Sequence, residues 1–273
     1  MFNYEEYLRV CFMPHIWCPG CGNGVILKSF IRAVHSLGWD KNKIVVVSGI
    51  GCSSRAPGYL DMNTLHTTHG RAIAFATGVK LANPELNVVV FTGDGDCVAI
   101  GGNHFIHAAR RNIDLTVVVF NNYIYGMTGG QVSPTTPHGY RATTAPYGFM
   151  EYPFGISELA IAAGATFVAR TTVYHVFQIE KFIKKGLEHK GFSVIEILSN
   201  CHINFGRRNK MSTPIAILNW LKEHSVPKDK FSEEDKKKGK FKIGILHGEK
   251  EREVVEYTQL YFEKINTLKE EKK

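Results

Sequence analysis

The 273-residue chain has no run approaching the roughly 18 uninterrupted apolar residues of a membrane-spanning helix. Its opening, MFNYEEYLRV, carries two glutamates instead of the basic stretch and apolar core of a secretory leader, so a cytoplasmic location is expected. Cysteine is scarce: six residues, at 11, 18, 21, 52, 97 and 201, are too few and too scattered for a disulfide scaffold. No thioredoxin-like context surrounds the CxxC pair Cys18 and Cys21, which leaves metal or cluster ligation as its better use. The dinucleotide fingerprint GxGxxG, a dense CxxCxxC array and internal repeats are all missing. Acidic residues are the minority, giving a formal charge of +8, but 17 Lys+Arg and 12 Asp+Glu lie after residue 204, so five of the eight charges belong to the tail. There the signs interleave (KEHSVPKDKFSEEDKKKGK) without an aromatic ladder, which favours a solvated or partner-facing surface over a nucleic-acid groove.

What the chain does have is enough apolar residue, 44%, to bury a full core. Short β-branched runs recur at 43–51, 87–96, 115–122, 165–170 and 192–198, and helix-like stretches lie at 23–37, 70–82, 98–111, 155–163 and 173–188. This alternation predicts an α/β fold, a parallel sheet with helices on both faces, whose nearly all-apolar strands are buried on both sides. Residues 1–205 are expected to form this domain, and 206–273 a charged, helical extension that contacts partner subunits, with amphipathic stretches at 214–224 and 250–266. The segment 121–153 is rich in Gly, Pro and Thr and too long for an idle loop.

Three strand-like runs end in Gly or Asn clusters, on the edge where open α/β sheets bind ligands. GDGDCVAIGG, from Gly93, lets backbone N–H groups approach a ligand closely. Asp94 between two glycines would repel a bare pyrophosphate, so the motif asks for a divalent cation, and Mg²⁺ suits one or two protein oxygens plus phosphate. Asn122 follows Asp94 by 28 residues, enough for a helix and a strand returning to the same edge. Its amide oxygen and the carbonyl of Ile124 are the companion ligands this spacing offers.

Cys52, in SGIGCSSR, ends the first strong strand, and Cys201, in SNCHINFG, follows the last. With Cys18 and Cys21 ahead of the first helix, four thiols can converge on one rim of the sheet, a set suited to structural zinc or to a [4Fe–4S] cluster. Spacing alone does not choose between them. Cys11 and Cys97 read as ordinary thiols.

The GDG motif with NN at crossover spacing resembles the thiamine diphosphate enzymes, and the added cysteines make the chain, from about 10 to 210, similar to the β subunits of 2-oxoacid:ferredoxin oxidoreductases. The resemblance implies that Asp94, Asn122 and Ile124 hold Mg²⁺ and that Cys18, Cys21, Cys52 and Cys201 bind [4Fe–4S]. Ile50, Gly51, Cys52, Ser53, His69, Gly95, Asp96, Gly126 and Met127 contact thiamine diphosphate in the same mapping. WCPGCGNG, GIGCSSR, SPTTPHG and SNCHINFGRRNKM look most like the branch that uses 2-oxoglutarate, with pyruvate and branched-chain 2-oxo acids as the alternatives. The implied reaction decarboxylates 2-oxoglutarate, gives succinyl-CoA from coenzyme A, passes electrons to ferredoxin, and can run in reverse. Arg55 is the candidate for the substrate carboxylate, since a guanidinium matches a carboxylate in bidentate fashion. His69 is the other catalytic candidate, its competing reading being a core histidine that caps the next helix. Only the diphosphate-binding half is present, so an α subunit with the pyrimidine-binding domain is expected, together with small ferredoxin-like subunits. A non-oxidative thiamine decarboxylase with structural zinc, and a zinc-stabilised module without catalysis, are the rival readings.

Overall fold

A computed structural model describes residues 2–248 and 256–271. Its centre is an eight-stranded sheet with strand order β2-β1-β3-β4-β8-β7-β10-β9. The strands are β1 (Ile44–Ser48), β2 (Asn63–His66), β3 (Asn87–Gly93), β4 (Leu115–Asn121), β7 (Phe167–Thr172), β8 (Phe192–Leu198), β9 (Ser225–Pro227) and β10 (Phe241–His247). A two-residue hairpin, β5 (Ile124–Tyr125) and β6 (Gln131–Val132), stands apart. From β2 to β7 all pairings are parallel, and β10 joins β7 antiparallel. All five predicted runs are strands of this sheet.

The helices are α1 (Asn23–Leu37), α2 (Ala56–Tyr59), α3 (Ala72–Ala82), α4 (Gly102–Arg110), α5 (Ile156–Ala162), α6 (Val176–Glu188), α7 (Pro214–His224), α8 (Glu233–Lys237) and α9 (Tyr257–Glu270). Because side chains alternate along a strand, Ile44 and Val46 face one layer while Val45 and Val47 face the other. The first layer holds α1 and α6 through Phe30, Val34, Ile179 and Ile183. The second holds α3, α4 and α5 through Ile73, Phe105 and Ala160. Both faces of the sheet are thus covered, as the unbroken apolar strands required.

The region after 205 departs from the expected helical extension. Its α7 matches the predicted stretch and buries Ile217 and Leu221 in the first layer. Yet β10 extends the main sheet itself, with Ile243 and Ile245 buried. Period-2 burial inside a charged segment is what makes FKIGILH a strand. Part of the amphipathic stretch at 250–266 lies outside the described residues; its remainder falls in α9. Among the described residues no helix is long and apolar enough to cross a membrane.

Candidate active site

Four neighbouring strands, β1, β3, β4 and β8, deliver Cys52, Asp94, Asn122 and Cys201 just beyond their C-terminal ends. Strands about 4.8 Å apart therefore bring together residues that lie far apart in sequence. A cavity of about 100 Å³ opens at this edge, and all nine cofactor candidates together with Asp94, Asn122 and Ile124 line it. Tyr125, Phe120 and Thr128 also line it, and no sequence signal singled them out.

Asp94 is almost wholly buried, and burial pushes its carboxyl up to about 6 against the opposing hydroxyls of Ser133 and Thr135. A carboxylate in so dry a place gains from a cation beside it. Tyr123 takes a left-handed backbone conformation, φ 64°, which turns the chain between Asn122 and Ile124. Its ring is held by Phe205 and Trp220, which stabilise this uncommon geometry. Asn122 Oδ1 in turn accepts from the N–H of Ile124 at 3.3 Å, so the two candidate ligands brace each other.

Asp96 lines the cavity and also braces its walls. It accepts from His69 Nδ1 at 2.5 Å, Gly70 N at 2.7 Å, Thr92 Oγ1 at 2.9 Å and Ile50 N at 3.3 Å. It thereby ties the loop after β1 to the turn before α3. Gly49 makes this possible, since a Cβ there would stand 2.3 Å from both carboxylate oxygens. His69 is engaged by Asp96, and α3 starts at Ala72 with no side-chain cap at Arg71 before it, so the helix-capping reading of His69 does not hold. Ser53 Oγ, on the cavity wall, is buried without a partner.

A second cavity, of about 250 Å³, is ringed by Cys18, Cys21, Cys52 and Cys201. All six cysteines are free thiols. Burial, then the neighbouring thiols, push Cys52 up to about 12, and burial foremost pushes Cys21 up to about 11. Burial also raises Cys201, opposed by the N–H groups of Asn204 and Phe205. Crowded, partly buried thiols of this kind gain from a positive centre beside them, which is the chemistry of metal or cluster ligands. Among the described residues no three His, Cys, Asp or Glu side chains already close into a metal cage; the thiols ring an open space instead. Gly126 keeps it open, since a Cβ there would lie 3.5 Å from Cys52 Sγ and 3.6 Å from Cys201 Sγ. The walls are fixed by Trp17 Nε1 donating to Cys52 O at 2.7 Å and Asn204 Nδ2 donating to Gly126 O at 2.7 Å.

The two cavities adjoin, sharing Cys52, Asn122, Gly126 and Met127. Arg55 alone among the sequence candidates lies outside both, exposed on the turn that follows Cys52.

The profile of the thiamine pyrophosphate enzyme, C-terminal TPP binding domain matches residues 49–197. The 2-oxoglutarate synthase subunit KorB of Methanothermobacter marburgensis is 57% identical over 243 residues, covering 88% of this chain and 85% of that protein. Its counterpart in Archaeoglobus fulgidus is 59% identical over 230 residues, covering 84% of each. Among solved structures, a 2-oxoglutarate:ferredoxin oxidoreductase from Magnetococcus marinus with 2-oxoglutarate, coenzyme A and succinyl-CoA bound matches with a TM-score of 0.85 and 35% identity, over 98% of this chain and 91% of that one. Sequence, fold and the ordering of the site on the sheet edge agree: the chain belongs to the thiamine pyrophosphate enzymes, among the KorB β subunits of the 2-oxoacid:ferredoxin oxidoreductases.

Proposed function

We propose that this β subunit provides the diphosphate, magnesium and cluster sites of a 2-oxoglutarate:ferredoxin oxidoreductase that joins 2-oxoglutarate and coenzyme A to give succinyl-CoA and CO₂. The observation that carries the reading is the shared wall of the two cavities, Cys52, Asn122, Gly126 and Met127. When bound, thiamine diphosphate supplies the carbanion-stabilising centre and a [4Fe–4S] cluster an acceptor that takes electrons one at a time. A shared wall suits electrons leaving the first site for the second, and then for ferredoxin.

In this reading Asp94, Asn122 and the Ile124 carbonyl hold Mg²⁺, and the unpartnered Ser53 hydroxyl and the backbone of Gly95 meet the diphosphate. Cys18, Cys21, Cys52 and Cys201 ligate the cluster. Asp96 fixes His69 through Nδ1, leaving Nε2 as the ring nitrogen available to a ligand. Met127 and Ile50, both substantially exposed at the mouth, are covered when the α subunit closes over the cavity. Arg55 serves the substrate carboxylate only in that closed assembly, since its present position is outside the cavity. Small ferredoxin-like subunits complete the electron path.

The test is anaerobic co-expression with the α subunit, followed by the visible spectrum during addition of 2-oxoglutarate and then coenzyme A. Bleaching that needs thiamine diphosphate and is stronger with 2-oxoglutarate than with pyruvate is the expected result. Stronger bleaching with pyruvate would overturn the substrate, and a colourless, zinc-containing protein would overturn the redox assignment. The β chain alone is expected to be inactive, because the cavity lacks its second half.

A further inference from the structure

The long loop contains a segment, Ser133–Thr136, whose three hydroxyl residues are buried, with Ser133 1%, Thr135 3% and Thr136 0% exposed. Loop polar groups are ordinarily left to water, so three dry hydroxyls need an internal task. Thr136 Oγ1 donates to the carbonyl of Tyr123 at 2.6 Å and accepts from Ser133 N at 2.9 Å, which pins the segment to the turn between Asn122 and Ile124. Thr135 Oγ1 then donates to Asp94 Oδ2 at 2.6 Å, with Asn121 Oδ1 at 3.0 Å as a second acceptor sharing the same proton. Ser133 Oγ stands 3.1 Å from Thr135 Oγ1 and is the second hydroxyl on the Asp94 carboxylate.

Asn121 cannot rotate away. Its Nδ2 donates to Glu196 Oε1 at 2.9 Å, which leaves Oδ1 facing Thr135. The other Glu196 oxygen accepts from Ser157 Oγ at 2.6 Å and from Arg170 Nε at 2.8 Å. Arg170, Glu196, Asn121 and Thr135 thus form one buried polar line that ends on Asp94.

We propose that Thr135 is a positioning residue for the divalent cation: it holds one oxygen of Asp94 so that the other is presented to the metal, with Asn121, Glu196 and Arg170 as its fixed backing. The proposal rests on the reading of Asp94 as a magnesium ligand. Groups hydrogen-bonded to metal-binding carboxylates orient them, and their loss weakens metal affinity by about 10- to 100-fold. The backing comes from β4, β7 and β8, so the carboxylate is aimed by the rigid sheet although its direct contact is on a loop.

The experiment uses the anaerobically purified α–β complex freed of thiamine diphosphate and Mg²⁺. Cofactor binding is followed by quenching of tryptophan fluorescence as Mg²⁺ is titrated at fixed thiamine diphosphate. Thr135→Val is expected to raise the half-saturating Mg²⁺ about tenfold or more, and Thr135→Ser to stay within about threefold of wild type. An unchanged half-saturation in Thr135→Val, or a Thr135→Ser variant as weak as Thr135→Val, overturns the proposal; Thr135→Ala carries the same two outcomes if the valine variant does not assemble. Asp94→Asn separates the two levels. If it loses Mg²⁺-dependent binding while the Thr135 series is flat, the positioning role alone fails; if it binds as wild type, the magnesium assignment fails and the proposal with it.

Discussion

At Gly126 a single missing Cβ separates two functions of one residue. A methyl group there makes only ordinary contacts, the nearest at 3.5 Å, so Gly126→Ala is expected to keep the thermal midpoint of wild type. The same methyl enters the space between Cys52 and Cys201, and, with the cluster on those thiols as proposed, iron and acid-labile sulfide per chain are expected to fall by about half. Full iron content in the variant would show that the cluster lies elsewhere. Asp96, on the wall of the same site, also ties its loops together. Asp96→Ala removes the acceptor for two backbone N–H groups, His69 and Thr92, and should cost about 3 kcal/mol or more, read as a lowered urea midpoint. Glycine, aspartate and cysteine at strand ends were legible because their chemistry is local. Thr135 and Asn121 were not, because their partners, Asp94 and Glu196, are 41 and 75 residues away.

At the scale of elements, the buried pair Arg170 on β7 and Glu196 on β8 locks two neighbouring strands. Breaking it by Arg170→Met alone leaves Glu196 charged and unpaired and is expected to cost about 3–5 kcal/mol; adding Glu196→Leu should recover part of that loss in denaturant titrations. Burial opposes ionisation of Glu158 at the outer end, but the Arg170 guanidinium outweighs it and holds the carboxyl below its ordinary range. A depressed carboxyl contributes stability above its unfolded value, roughly pH 4.3, and that contribution fades as pH falls through the lower folded value. Glu158→Gln is therefore expected to flatten the acid side of the stability–pH curve while leaving its shape above pH 6 unchanged. The strands β1, β3, β4, β7 and β8 were readable from apolar runs alone. The polar NTLH of β2 was not, since it is a strand by virtue of pairing with β1 and not by propensity.

For the whole molecule, the charged tail completes the domain. Without β10 the edge of β7 would present unpaired backbone groups and uncover core around Ile245. A chain truncated after Lys240 is expected to be recovered as aggregate, whereas one truncated after Gly248, which keeps β10, should remain monodisperse in analytical ultracentrifugation. Equal behaviour of the two would return the tail to the role of an appended surface.

The order of strand, glycine turn and helix, and the residue types at strand ends, were determined by the sequence alone, because backbone freedom, hydrogen-bonding capacity and hydrophobic period are properties of neighbouring residues. Tertiary structure decided which polar groups meet. The parallel sheet sets Cys52, Asp94, Asn122 and Cys201 side by side, turns Asp96 inward as a brace, leaves Arg55 outside the cavity and brings Thr135 onto Asp94. Such meetings depend on strand order and on chain returning over tens of residues, and no local pattern records them.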